Sequence, residues 1–147
     1  MKLSILFVGV GIIALFHGCV EDPQPLPVLG HKLSDIQKQT FDRTCTAGCH
    51  SDHPPEITSA LLWLTADSAY NQLTSNRKIE NDSGRKYFKG LVVPGKPNES
   101  FLIKKLLLST SSSDADFGER MPQRLTKLPQ NEIDAIIAWI NEGAPNN

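Results

Sequence analysis

Apolar residues recur along this chain at helical intervals. From Gln130 onward, Ile133, Ile136, Ile137 and Ile140 repeat at i, i+3, i+4 and i+7, which places all four on one face of a helix. Pro129 suits the first turn of that helix and Gly143 and Pro145 suit its end: a helix start leaves amides unused, and glycine tolerates the left-handed turn of a stop. A second amphipathic stretch starts near Ser34, with Leu33, Ile36, Thr40, Phe41, Thr44 and Cys45 on one side of a helix. Asn98 is placed to cap a third helix, Glu99 to Leu108, with Phe101, Leu102, Ile103, Leu106 and Leu107 as its buried stripe; Thr65 is placed to cap a short one reaching Leu73. No alternating run is long enough for a sheet. The pattern predicts an all-α fold with long loops.

The first apolar run is of a different kind. Lys2 precedes the stretch from Ile5 to Phe16, too short for a helix that needs roughly 20 residues to cross a bilayer core. A charged start, a short apolar stretch and a small residue at the break make a cleaved export leader. The break falls at Gly18, and Leu-Phe-His-Gly-Cys19 resembles the bacterial lipobox, although Phe16 and His17 are bulkier than that family usually has. The resemblance implies cleavage before Cys19 and acylation of its thiol; ordinary cleavage near this site with Cys19 left free is the alternative. Glu21 to Gly30 has three prolines in five positions, which predicts an extended, semi-rigid spacer. Residues 1–18 are therefore read as a signal peptide, 19–31 as lipid anchor and spacer, and 32–147 as one folded domain. The expected location is the periplasmic or cell-surface side of a bacterial membrane.

Composition narrows the function classes. A chain of 147 residues carries one domain, and 39% apolar residues with 10 Gly and 10 Pro support a modest core between long loops. Fifteen basic against sixteen acidic residues give a net charge of −1, which excludes nucleic-acid binding by counterion release. The imbalance is local: eight basic residues face three acidic ones between Arg77 and Lys105, either a docking patch for an acidic partner or ordinary solvated surface. Three cysteines are one too many for a disulfide set, so each needs its own explanation.

The chemistry concentrates at Cys45-Thr-Ala-Gly-Cys49-His50. Covalent haem attachment needs two thiols for the vinyl groups and an imidazole beside the second thiol as proximal iron ligand. The usual spacing has two residues between the cysteines and here there are three; Gly48, free to adopt positive φ, is a place to absorb the extra one. A disulfide or a zinc half-site is the competing reading. Zinc would have to use Cys45, Cys49, His50 and His53 within nine residues, with no second pair downstream, which is cramped for a tetrahedral site. His53 reads better as a solvated loop residue, or as one near the haem edge.

A distal ligand is the next requirement. Once the leader is removed the chain keeps one methionine, Met121, in a loop setting between Arg120 and Pro122 rather than on an apolar helix face. His31 is the other candidate. The stretch from Ser109 to Asp116 leads to Met121 and is polar, as expected of a mobile loop.

Several pieces in order then resemble a known family. The attachment motif, Leu61-Leu-Trp-Leu-Thr65, Gly90-Leu-Val-Val-Pro-Gly-Lys-Pro-Asn-Glu-Ser-Phe-Leu102, Met121-Pro122 and Glu132-Ile-Asp-Ala-Ile-Ile-Ala-Trp-Ile-Asn-Glu-Gly-Ala144 are similar to a class I cytochrome c domain of the planctomycete type. The resemblance spans about Leu33 to Ala144. It implies the cytochrome c fold around one haem c, thioether bonds to Cys45 and Cys49, iron held by His50 and Met121, and first and last helices crossing near Phe41 and Trp139 or Ile140. It further implies that the Val-Pro-Gly loop packs near the ring. Two positions depart from the pattern: the extra residue in the motif, and Pro129 where the family tends to have a serine cap. The implied activity is single-electron transfer with a redox partner protein, without catalysis or a small-molecule substrate. A haem enzyme or gas sensor with a labile Met121, and a haem-free lipoprotein with a Cys45–Cys49 disulfide, are the alternatives.

Overall fold

A computed structural model describes residues 26–47, 49–51, 62–75, 79–80, 87–109, 117–123 and 125–147. The leader, Cys19, Gly48 and His53 lie outside these residues. Regular structure is mostly helical: α1 (Leu33–Ile36) running on as a π-helical segment (Gln37–Cys45), α2 (Ala69–Thr74), a 3₁₀ turn (Pro97–Glu99), α3 (Phe101–Leu107) and α4 (Gln130–Asn141). One antiparallel ladder joins β1 (Ile79–Glu80) to β2 (Tyr87–Phe88), pairing Ile79 with Phe88 and Glu80 with Tyr87. Strands of two residues carry no readable alternation, which is why the sequence pattern shows no sheet.

The last helix is the centre of the core. Ile133, Ile136, Trp139 and Ile140 are all at 0% exposure, and α1, α3 and the 3₁₀ turn each pack against α4. Pro129 is the residue before the helix rather than part of its first turn, and the Asn131 Oδ1 accepts from the Glu132 amide at 3.1 Å in place of a side-chain cap from Pro129. At the other end, Ala144 N–H donates to the Trp139 carbonyl and Gly143 N–H to the Ile140 carbonyl, both at 3.0 Å. This is a Schellman stop, with Gly143 at φ +93° and Ala144 buried over Trp139. Trp139 Nε1 donates to Pro145 O at 2.8 Å, so the chain folds back over the indole.

The first helix is wider than an α-helix. At 100° per residue Ile36 would point about 140° from Phe41 and about 180° from Cys45; at the roughly 80° per residue of i→i+5 bonding those angles shrink to about 40° and about 0°. The π pitch brings Ile36, Phe41 and Cys45 to one side, with Ile36 and Phe41 buried in the core. The start of α1 has no cap of its own. Asn147 supplies it, its Oδ1 accepting from Leu33 N–H at 2.8 Å and its carbonyl from Ser34 N–H at 2.9 Å.

Two other helix starts differ from the sequence expectation. The Thr65 hydroxyl bonds the Asp67 carboxylate at 2.7 Å instead of a backbone amide, and α2 begins only at Ala69. Asn98 lies inside the 3₁₀ turn, and α3 begins after Ser100, whose hydroxyl accepts from Val93 N–H and donates to Lys96 O, both at 2.9 Å. That hydroxyl fastens the Val-Pro-Gly loop rather than capping the helix. Leu107 is exposed, and Phe101 packs on Phe88 and Phe117. Leu29 packs against the core, and Pro27 O accepts from Asn131 Nδ2 at 2.9 Å, so the folded unit takes in part of the stretch read as spacer.

Candidate functional site

The π-helical segment ends at Cys45, and the chain closes once more by the same i→i+5 geometry: His50 N–H donates to Cys45 O at 3.0 Å. With two intervening residues the histidine would stand four places after the first cysteine and an α-type closure would reach it. With three it stands five places after, and the wider turn takes up the added residue. The helix that delivers the motif and the spacing of the motif share one pitch.

His50 is then fixed by a segment from elsewhere in the chain. Leu64 N–H donates to His50 O at 2.8 Å, and the His50 Nδ1 lies 3.0 Å from Leu62 O, with the ring nitrogen as donor in that tautomer. Gln37 Nε2 donates to Leu64 O at 2.7 Å and ties the same segment to the first helix. Nε2 of His50 has no partner among the described residues, so it is the nitrogen available to a metal. A backbone carbonyl holding the far nitrogen is the usual arrangement around a ligating histidine.

These residues face one cavity of about 270 Å³. The first helix contributes Phe41, Thr44 and Cys45; the motif contributes Cys49 and His50; Leu62, Leu64 and Leu91 form an apolar wall. Phe101, Leu102 and Leu106 of α3 and Ile136 of α4 close the back. Met121, Pro122 and Leu125 line it from a separate arm, although Met121 comes 71 positions after His50. Met121 is anchored through its amide, which donates to Lys105 O at 2.9 Å, and a cis bond joins it to Pro122.

Cys45 and Cys49 are free thiols, the first partly buried and the second exposed. Burial pushes the Cys45 thiol up to about 12, with the Glu132 carboxylate and then Cys49 adding to the effect. Glu132 is itself buried, accepting from Thr40 Oγ1 at 2.8 Å, with Arg43 Nη1 at 3.8 Å. Among the described residues no three of His, Cys, Asp and Glu converge as a metal cage.

The donor set suits a large, flat, covalently held macrocycle. Two thiols and an imidazole lie on one side and a thioether on another arm, around walls that are chiefly leucine and phenylalanine. His31 is not part of this cavity; its Nε2 pairs with Glu142 at 2.9 Å at the end of α4. The basic stretch is partly neutralised, since Glu99 pairs with Lys96 at 3.1 Å and Lys89 at 3.2 Å, which hold its carboxyl below the usual range. Lys104 lies 4.7 Å over the Phe117 ring.

Sequence reasoning missed the Leu62 carbonyl, which as a backbone group leaves no signature, and the buried Glu132 and Arg120, which read as ordinary charged positions. No family model, curated protein or solved structure matches the chain. Among the described residues no helix is long and apolar enough to cross a membrane.

Proposed function

We propose that the protein is a monohaem c-type cytochrome of the class I fold that carries single electrons, exported and held at a membrane by lipid on Cys19. One observation carries the reading: both motif thiols, the His50 ring and the distant Met121 thioether line the same largely apolar cavity. Haem c, when bound, supplies an iron that gains and loses one electron. The chain's own residues do the rest. Cys45 and Cys49 are placed to hold the group by thioether bonds, and Leu62 O keeps the His50 proton on Nδ1 so that Nε2 remains a lone-pair donor. Met121, on a second arm, would offer its thioether to the iron, and a thioether ligand favours a higher potential than a second nitrogen. Were His50 and Met121 both to hold the iron, a substrate would have to displace one of them, which favours a carrier over an enzyme. Apolar walls limit the water that must reorganise when charge changes.

Expression in a host with haem-attachment machinery tests this. The expected product has a covalent haem mass, a low-spin ferrous spectrum and the weak far-red charge-transfer band of a methionine–iron bond, which Met121→Ala abolishes. A haem-free product, or high-spin iron unaffected by Met121→Ala, would refute it. Cys19→Ser should release the protein from membranes; an unchanged distribution would refute the anchor.

A further inference from the structure

Arg120 immediately precedes Met121 and is buried at 8% exposure. Its Nη2 donates to Leu125 O at 2.8 Å and its Nη1 to Met121 O at 3.5 Å, while the buried Nε has no partner. No carboxylate pairs with it among the described residues. Taking a guanidinium out of water is costly and is offset by the groups that accept from it, here two backbone carbonyls. Met121 and Leu125 are two ends of the arm that forms one cavity wall, and the guanidinium bridges their carbonyls. Lys105 O holds the Met121 amide from the other side, and Lys105 Nζ donates to Phe117 O at 2.8 Å and also to Glu119 O. The methionine is thereby held at both of its peptide groups.

We infer that Arg120 is the positioning residue of the Met121 thioether, bridging the carbonyls of Met121 and Leu125 so that the arm presents its sulfur to the cavity. The inference rests on the reading of Met121 as an iron ligand. Arg120 is not among the residues lining the cavity and its hydrogen bonds go to the Met121 arm, so its loss should leave haem attachment intact and weaken the sulfur–iron bond. An external ligand competing for the same position reports that weakening directly.

The test uses ferric holoprotein of the wild type, Arg120→Lys and Arg120→Met, titrated with imidazole while the methionine–iron band is followed, with thermal melts alongside. Wild type is expected to show the band. Arg120→Met should bind imidazole about tenfold more tightly, equivalent to about 1.4 kcal/mol, the scale of one lost hydrogen bond from a charged donor. Arg120→Lys should fall between, because an ammonium keeps the charge but cannot fork to both carbonyls. A normal band with unchanged imidazole affinity in both variants would overturn the clamp and leave the ligand assignment standing, whatever the melts show. Failure of both variants to fold with haem would make Arg120 a residue of the fold and overturn the inference. A wild-type protein without the band would overturn the ligand assignment and the clamp together.

Discussion

In this structure Cys45 is a partly buried free thiol beside a buried carboxylate, and the chemistry of that thiol follows from its surroundings. Its pKa of about 12, against an ordinary 9.0, comes first from burial, then from Glu132 and Cys49. At pH 8 an ordinary thiol is about one-tenth thiolate and Cys45 about one part in ten thousand, a thousandfold difference in the reactive form. A more basic thiolate is the better nucleophile, which returns about 1.5 log units at a Brønsted slope near 0.5. Iodoacetamide should therefore alkylate Cys45 about thirtyfold more slowly than an ordinary exposed thiol, with Cys49, which is exposed, labelled first. Glu132→Gln removes a charge that opposes the thiolate and should speed labelling of Cys45.

The same shift makes the haem-free protein sensitive to alkali. Above pH 9 the unfolded chain gives up the Cys45 proton while the native state keeps it to about 12, so the native state binds more protons. Stability is then full below pH 9 and falls as pH rises, by at most about 1.4 kcal/mol per unit up to about pH 12. A thioether does not titrate, so under the proposed function this contribution to the slope would vanish in protein carrying covalent haem. Mass mapping of time-resolved alkylation and urea unfolding at pH 8 to 11 measure both effects. Labelling of Cys45 as fast as Cys49, or this slope persisting undiminished in the attached protein, would show that Cys45 is not packed as described.

Two further predictions follow from the packing around the site. In a double-mutant cycle, Thr40→Val should cost about 1.5–3 kcal/mol because it strips a buried carboxylate of its hydrogen-bond donor, yet cost much less when Glu132 is already leucine; additive losses in urea unfolding would show that the two groups are not coupled. Gly143→Ala forces a side chain to φ +93° at the α4 stop and should lower stability by about 1–2 kcal/mol, read as a lower melting temperature; an unchanged melt would mean that the stop adopts another conformation.

The final helix was the most legible part of the chain. Three of the four isoleucines at helical spacing, Ile133, Ile136 and Ile140, are fully buried, Ile137 is half-buried with Trp139 taking the remaining core place, and Gly143 marks the end. The first helix was legible in place but not in pitch, because residue type marks Ile36, Phe41 and Cys45 as positions to bury without stating the turn angle that aligns them. Thr65 and Asn98 have the residue type of caps but spend their polar groups elsewhere, and a residue's type does not say which neighbour claims its side chain. Met121 stood out because it lacks the apolar, helical setting of a packing methionine.

By itself the sequence determined the chemistry on offer: two thiols and an imidazole within six residues, one thioether far along the chain, and helices amphipathic enough to bury a core. Local composition and spacing suffice for these, since they depend on residues close in sequence. Whether His50 and Met121 face the same cavity, which carbonyl holds the imidazole, and what caps α1 depend on contacts between residues far apart. Those are decided when the core closes on α4, because burial then leaves each polar group only the partners that packing has brought within reach. The three-residue spacing joins the two levels: it is written in the sequence, and the fold meets it with an i→i+5 bond from His50 N–H to Cys45 O that continues the π pitch of the segment before it.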